Sequence, residues 1–257
     1  MTKLLTETHG AVSLIRVNDP ATRNALTMEM IDGLCEALAR EETRARAIVL
    51  AGRPEAFCAG ANLGGPGGGI SPGETDLGRS VERHLNPLVR KARDLAVPLI
   101  CAVQGCAAGF GVSLALLGDL IVTGESAYFA VAFGKIGLVP DGGAPWLLTK
   151  AVGRARAMEM MLLGDKVTAP QALSWGLVNR VVADDRVEAE ALAMAARLAG
   201  GSANALRLTR QAAWAACGST LDEELALEIT NQREAGLHPD FAEGVAAFLQ
   251  KRPARFG

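Results

Sequence analysis

The sequence predicts an α/β protein in two parts, a strand–helix core followed by a helical region. Three observations carry this reading. Strand and helix signals alternate through the first third of the chain. Two short apolar runs, at residues 48–50 and 98–103, each precede a stretch of small residues, at 57–63 and 105–111. From residue 144 onward the periodicity is helical almost to the end.

Each element follows from its residues. Ala11-Val12-Ser13-Leu14-Ile15-Arg16-Val17 alternates apolar and polar over its second half and predicts a strand. Thr27 stands where a helix cap belongs, and Met28, Ile31, Leu34, Cys35 and Leu38 then recur at helical spacing. Residues 46–51 predict a short apolar strand, and residues 64–73, rich in Gly and Pro, a mobile loop. Residues 76–94 predict a helix with Val81, Leu85, Leu88 and Ala92 on one face. A buried strand at 98–103, a helix from about 110 to 117 and a strand at 120–122 follow. Helices are then expected at 144–152, 154–163, 169–175, 186–198, 203–215, 221–235 and 241–250, interrupted only by a strand at 177–182. The division is therefore a core over residues 1–200 and a helical region over 201–257.

Composition narrows the function classes. The chain has 257 residues, 49% of them hydrophobic, enough for a substantial core. A net charge of -2 gives no reason to expect nucleic acid or an anionic membrane as partner. No apolar run approaches the roughly 18–20 residues of a membrane span, and the first residues lack the pattern of a signal peptide. Five cysteines without a C-x-x-C pair fit a reducing, cytoplasmic compartment, with Cys35 and Cys101 read as buried thiols. The three histidines, His9, His84 and His238, lie far apart in sequence, so no metal site is expected.

Phe57-Cys58-Ala59-Gly60-Ala61-Asn62-Leu63 and Gly105-Cys106-Ala107-Ala108-Gly109-Phe110-Gly111 are the chemically informative segments. Small residues let a backbone approach another group closely. Two strand ends that both expose N–H groups can hold one oxyanion between them. Phe110 also opens a predicted helix, where N–H groups are unpaired and the dipole favours negative charge. Ordinary strand-to-helix turns are the alternative reading. Competing motifs fail: Gly109-Phe110-Gly111 is followed by Leu114 where a dinucleotide loop needs Gly, and Ser113 lies inside a helix rather than on a nucleophile elbow. Gly64-Gly65-Pro66-Gly67-Gly68-Gly69 lacks the Lys-Ser/Thr ending of a phosphate loop.

These two segments resemble the paired oxyanion-hole motifs of the crotonase (enoyl-CoA hydratase/isomerase) superfamily. The resemblance extends through four ordered motifs. Asn18-Asp19-Pro20 to Asn24-Ala25-Leu26 is similar to the acyl-CoA-binding turn, and Ile136-Gly137-Leu138-Val139-Pro140-Asp141-Gly142-Gly143 to the segment bearing a catalytic acid. Ala172 through Gly176-Leu177-Val178 matches the helix-turn-strand that follows. The resemblance implies a spiral of β-β-α repeats followed by helices, although no repeat is visible in the sequence. It implies backbone N–H groups of Ala61 and Phe110 as the oxyanion hole, with Ala25, Ala59, Asn62, Leu63, Gly109 and Phe133 around the substrate. It implies a CoA thioester as substrate, with CoA arriving as part of it, no metal and no other cofactor.

Asp141 is the expected proton carrier. It precedes a helix and has Phe133, Leu138, Val139 and Trp146 nearby in sequence; burial would raise its pKa while a helix N-terminus would lower it. A helix-capping role is the alternative. The superfamily's hydratases carry two glutamates, whose positions align here with Ser113 and Phe133; neither can act as acid or base for water addition. Asp141 matches the acidic position of the isomerases, and Asn62 replaces the usual Asp of the first motif. The segments Asp76-Leu77-Gly78-Arg79-Ser80-Val81-Glu82-Arg83, Gly153-Arg154-Ala155-Arg156-Ala157-Met158 and Phe248-Leu249-Gln250-Lys251-Arg252 resemble the ring-epoxide isomerase branch of phenylacetate catabolism. Isomerisation is thus expected. Hydration with Glu125 or Asp119 as substitute acid, Asp119 reading more readily as the fixer of a helix-to-strand turn, and acyl-CoA binding without chemistry, stay open. Arg23 is either a CoA-phosphate contact or a solvated loop charge. Phe248 and Lys251 either reach the CoA adenine end in a neighbouring subunit or belong to a terminal helix packed on its own core. Trp175 and Trp214 read as packing residues. The resemblance implies a homotrimer or a dimer of trimers, and the apolar positions Leu221, Leu225, Leu227 and Ile229 fit such contacts.

Overall fold

The computed structural model describes residues 3–64 and 76–257, so most of the loop expected at 64–73 lies outside the described residues. The chain begins with an antiparallel pair, β1 (Leu4–His9) and β2 (Val12–Val17), and then α1 (Met28–Glu41). Thr27 caps α1 as the sequence predicts, its hydroxyl accepting from Met30 N at 3.2 Å. Strands then come in twos: β3 (Ala47–Ala51) and β4 (Ala56–Cys58), β5 (Leu99–Val103) and β6 (Cys106–Ala108), β7 (Leu120–Gly124) and β8 (Tyr128–Ala130). Each pair contributes one strand to each of two sheets. The larger sheet runs β1-β2-β3-β5-β7-β10, with β10 at Arg180–Val182; the smaller runs β4-β6-β8-β9, with β9 at Lys166–Thr168. Apart from the pairs β1–β2 and β8–β9, neighbouring strands are parallel. This is the expected spiral of β-β-α repeats, closed by helices α2 (Leu77–Ser80) with α3 (Asn86–Arg93), α4 (Phe110–Leu116) and α5 (Ala144–Leu163).

The smaller sheet is what the sequence reading missed. Residues 57–58 and 106–108 were expected as turns of small residues, and they are strands of that sheet. Lys166–Thr168 likewise breaks the helical run that was expected to have only one interruption. Strands of three residues carry too little period-2 signal to be read alone, and their pairing partners lie far off in sequence, as Ala56↔Cys106, Cys106↔Tyr128 and Tyr128↔Thr168 show.

The central strands of the larger sheet, β2, β3, β5 and β7, are buried on both faces, which accounts for their continuous apolar runs. Ile15, Ile48, Leu50, Cys101 and Val103 face the main core with α1, α3 and α4. The alternate positions Leu14, Val49, Ala51, Ile100 and Ala102 pack against Val187, Ala191, Ala195 and Ala199 of α7 (Val187–Ala199). The helix expected at 76–94 is interrupted by a π-helical turn, Val81–Leu85. Pro87 has no N–H to give the carbonyl four residues back, and Asn86 N donates instead to Val81 O, five residues back. The break expected between 152 and 154 is real: Gly153 adopts φ 76°, ψ 162° inside α5.

After α6 (Ala169–Ser174), β10 and α7, the chain ends in α8 (Ala203–Ala216), α9 (Leu221–Leu237) and α10 (Pro239–Leu249). Arg210 of α8 anchors this region. Its side chain is 7% exposed; Nε donates to Asp119 Oδ2 at 2.6 Å, and the guanidinium also reaches the carbonyls of Ala92, Arg93 and Leu95. Asp119 Oδ2 accepts from Leu99 N as well, at 2.8 Å, so this carboxylate holds the start of β5 rather than serving as a substitute acid. Trp214, expected as a packing residue, stacks on Trp146 with centroids 5.8 Å apart. Among the described residues no helix is long and apolar enough to cross a membrane.

Arg210→Ala strands a half-buried carboxylate and three carbonyls. It is expected to lower the unfolding free energy by about 3 kcal/mol. Urea denaturation tests this, and a loss below about 1 kcal/mol, the size of an exposed pair, would show that water replaces the guanidinium without cost.

Candidate active site

The site is assembled where the ends of β4 and β6 meet the N-terminal turn. Asn24 ties them together: fully buried at φ 58°, it accepts from Asp19 N through Oδ1 at 2.7 Å and donates through Nδ2 to Ala56 O at 2.8 Å and Phe57 O at 3.3 Å. Leu26 pairs with Ala61 in a single parallel bridge, donating its N–H to Gly60 O at 2.8 Å and accepting from Asn62 N at 2.9 Å. A trans peptide points its C=O and N–H in opposite directions. The Gly60 carbonyl is turned toward Leu26, so the Ala61 N–H is turned away from it. Gly60 N donates to Cys58 Sγ at 3.4 Å, fixing the preceding peptide as well.

The second amide belongs to Phe110, the first residue of α4. Gly109 N donates to Ala130 O at 2.9 Å, and Gly109 O accepts from Val112 N at 3.0 Å, which holds the Gly109–Phe110 peptide. Neither Ala61 N nor Phe110 N has a hydrogen-bond acceptor among the described residues. The two segments approach closely. A Cβ on Gly60, whose φ is +102°, would lie 2.9 Å from Ala108 O and 3.5 Å from Phe110 N; one on Gly111 would lie 2.2 Å from Cys58 O. Glycine is required at both places, at the first by conformation and at the second by contact.

Asp141 comes to the same place from the turn before α5. A Cβ on its neighbour Gly142 would fall 2.4 Å from the Phe110 ring and 3.0 Å from Ser113 Cβ, so this turn lies on the first turn of α4. The Asp141 carbonyl accepts from Ala144 N at 3.0 Å and Ser113 Oγ at 2.9 Å. Its carboxylate does not cap α5, whose N-cap is Gly143. Oδ1 is buried and has no hydrogen-bond partner. Burial pushes the group up to about 6, opposed only by its own backbone N–H; no neighbouring charge contributes.

Of the apolar neighbours expected from sequence, Phe133 is buried and its ring would lie 3.9 Å from a Cβ on Gly109. Leu138 packs partly buried on the core. Val139 is 79% exposed, and Trp146, on another face of α5, stacks on Trp214 instead. The Phe110 ring contributes more to the surroundings of the Asp141 turn than either.

The other expected contact residues divide into two groups. Arg23, Ala25, Ala59, Asn62 and Leu63 are brought together. Exposed Arg23 sits at φ 54° and accepts from Ala59 N through its carbonyl at 3.1 Å; Ala25 N donates to Thr22 O at 3.2 Å; Asn62 Oδ1 accepts from Gly64 N at 3.1 Å; Leu63 is exposed. Phe248 and Lys251 stand apart. Phe248 is 83% exposed and borders a groove of α8–α10 residues, and Lys251 N donates to Phe248 O at 3.2 Å; no described hydrogen bond or ion pair joins either to the rest of the site. Glu125 is exposed in the turn before β8. Cys58, fully buried with its thiol pushed up to about 12 by desolvation, is no nucleophile. Sequence reasoning overlooked Asn24 and Cys58 as positioning groups; the available signal was Asn in a turn, the non-Gly residue that most readily takes the left-handed conformation seen here.

With two unpartnered amides facing a site beside a partly buried carboxylate, the comparisons with known proteins fall into place. Residues 7–257 match the sequence profile described as Enoyl-CoA hydratase/isomerase. The chain is 42% identical over 255 residues, covering 98% of it and 97% of the relative, to a 1,2-epoxyphenylacetyl-CoA isomerase of Escherichia coli (strain K12). It is 41% identical over 250 residues, covering 97% of it and 96% of the relative, to a probable enoyl-CoA hydratase of Rhodobacter capsulatus. The crystal structure of an enoyl-CoA hydratase from Polaromonas sp. JS666 superposes with a TM-score of 0.91 at 32% identity, covering 99% of each chain. The protein belongs to the enoyl-CoA hydratase/isomerase (crotonase) family, and is an enzyme of the class that acts on acyl-CoA thioesters.

Asp141 holds its proton more tightly in the folded chain than in the unfolded one, since about 6 lies above the ordinary 3.8. The stability this gives is fully present below about pH 4 and is lost as pH rises through about 6. Asp141→Asn is therefore expected to raise unfolding stability at pH 8 by at most ~3 kcal/mol and to change it little at pH 4. Thermal unfolding at both pH values measures this; equal effects at the two would show that Asp141 is not desolvated.

Proposed function

We propose that the protein is an acyl-CoA isomerase that moves a proton through a thioester enolate. The observation that carries this reading is Asp141: a desolvated carboxylate with an unpartnered oxygen, whose turn packs on Phe110, the residue with one of the two free amides. In the proposed step the thioester carbonyl oxygen accepts from Ala61 N–H and Phe110 N–H. The Asp141 carboxylate takes a proton from the carbon next to the carbonyl, and the C–H electron pair moves into the carbonyl to form the enolate. The amides hold the new oxyanion without reorganising. Protonated Asp141 then gives the same proton to a carbon further along the conjugated system, and the electrons return. A pKa near 6 suits a group that must both take and release a proton near neutral pH. CoA enters as part of the substrate, and the step calls for no metal or redox cofactor. Gly109 and Phe133 would border the acyl group. Ala25, Ala59, Asn62 and Leu63 would line the thioester and pantetheine path, and Arg23 would meet the CoA phosphates.

The proposed activities are 3-enoyl-CoA isomerisation and, as the name of the E. coli relative suggests, isomerisation of 1,2-epoxyphenylacetyl-CoA. A hydratase reading is favoured by the names of several relatives, including a 2,3-dehydroadipyl-CoA hydratase of E. coli at 34% identity over 258 residues. Against it stand Ser113 and Phe133 at the two glutamate positions, and Asp119 committed to Arg210. Asp141→Asn is expected to lower turnover of 3-hexenoyl-CoA or 1,2-epoxyphenylacetyl-CoA by about 10²–10⁴-fold. Near-normal turnover in that variant, or hydration of crotonyl-CoA on the order of 10³ per second by the wild type, would overturn the proposal.

The reading includes a cytoplasmic, trimer-based assembly in which residues 201–257 form contacts and Phe248 and Lys251 approach a neighbour's CoA site. Leu221, Ile229, Leu237, Phe241, Phe248 and Leu249 are each more than half exposed in the single chain, apolar exposure of the kind that a contact with another subunit would cover. Sedimentation at micromolar concentration is expected to give a trimer or hexamer. A stable monomer rejects the assembly, and unchanged acyl-CoA affinity after truncation at Phe241 rejects the shared site.

A further inference from the structure

We propose that Ser113 is a positioning residue that holds Asp141 in its desolvated place and sets its register with the Phe110 amide. The inference rests on the reading of Asp141 as the proton carrier.

Ser113 is 0% exposed and sits at the fourth residue of α4, one turn beyond Phe110. Residues three apart on a helix lie on one face, so the hydroxyl and the Phe110 ring point to the same side. That side is occupied by the Asp141–Gly142 turn: Ser113 Oγ donates to Asp141 O at 2.9 Å, and Gly142 stands against both the Phe110 ring and Ser113 Cβ. One short helix thus carries the amide proposed to hold the enolate oxygen and the hydroxyl that grips the backbone of the proposed base. A buried hydroxyl needs a partner, and the Asp141 carbonyl supplies it. The carbonyl keeps Ala144 N as a second donor, so removing the hydroxyl leaves no orphaned acceptor and the fold has little reason to fail. What it removes is one of the two bonds on the Asp141 carbonyl, next to a carboxylate whose Oδ1 has no bond of its own to hold it. With one of those bonds gone, the carboxylate is expected to shift toward water, where its charged form is favoured. No charged side chain contributes to the state of Asp141, so a change in its titration reports its burial and its own backbone N–H rather than a neighbouring charge.

The same contact gives Ser113 a use at the position where, by resemblance, hydratases carry a glutamate. The hydroxyl fills that place with a group that cannot transfer the proton and instead steadies the one that can.

The test is Ser113→Ala, with Ser113→Cys as a variant of nearly native volume and a weaker donor, should the alanine variant fold poorly. The probe is phenylacetyl-CoA in deuterated buffer, read as the rate of deuterium uptake at the carbon next to the thioester across pH 4–9. This readout needs only enolate stabilisation and a base. Ser113→Ala is expected to slow exchange at saturating probe about three- to tenfold, the value of one neutral hydrogen bond, with the concentration for half-maximal rate unchanged. The acid limb of the profile should move down from near pH 6 toward the ordinary carboxylate range as Asp141 gains water. A thermal midpoint close to wild type should accompany both. An unaltered rate and acid limb in the alanine and cysteine variants overturns the role of Ser113. Asp141→Asn, run alongside, separates the two claims. If it exchanges normally, or the wild type does not exchange, the reading of Asp141 fails and the Ser113 inference with it. If it is inactive while Ser113→Ala is indistinguishable from wild type, only the Ser113 inference fails.

Discussion

The arrangement depends on one constraint: two peptide N–H groups near the ends of adjacent parallel strands must both be left without acceptors. Backbone donors in a protein interior are almost always paired, so a free pair persists only where the surroundings over-determine it. Here the neighbouring carbonyls are the means. Leu26 takes Gly60 O on one side, Val112 takes Gly109 O on the other, and the planarity of the peptide then aims Ala61 N and Phe110 N away from those partners. The smaller sheet exists to bring the two turns this close, and its contact distances leave no room for a side chain at Gly60 or Gly111.

Much of the remaining architecture supports that placement. Asn24 stitches the N-terminal turn to β4, burying its amide to satisfy three backbone groups. α4 begins with a site amide and carries, one turn later, the hydroxyl that meets Asp141. The main core around Phe57, Phe110 and Phe129 fills the space between the sheets and helices and keeps these elements rigid relative to one another. Asp141 is the opposite case. Its carboxylate is held where water is scarce and where it gains no partner, a local instability that the fold tolerates and that raises its affinity for a proton.

The C-terminal helices use a different physics. α8 is fastened by Arg210, a buried cation shared between one carboxylate and three carbonyls, and by the Trp146–Trp214 stack. Beyond it, α9 and α10 present apolar side chains outward, so the single chain is packed tightly at one end and left open at the other. Arg46 closes the seam, donating to Ala199 O, Gly201 O and Gly257 O.

The α/β class, the capped first helix, the buried strands at 47–51 and 99–103, the break at Gly153 and the order of the site motifs were all legible in the residues. Those signals are local: periodicity, a capping threonine, an apolar run, a glycine between two helical stretches. Family membership was legible for the same reason, because each motif is a contiguous run. The smaller sheet was not, since three-residue strands are defined by partners distant in sequence, such as Ala56↔Cys106 and Tyr128↔Thr168, which meet only when the spiral closes. Nor were the burial of Asp141, the turning of Trp146 toward α8, the pairing of Asp119 with Arg210, or the grip of Ser113 on the Asp141 carbonyl. Sequence named the groups that can donate, accept or carry a proton. Which of them are deprived of water and of partners was decided by tertiary packing, because desolvation is a property of everything around a group and not of the group itself.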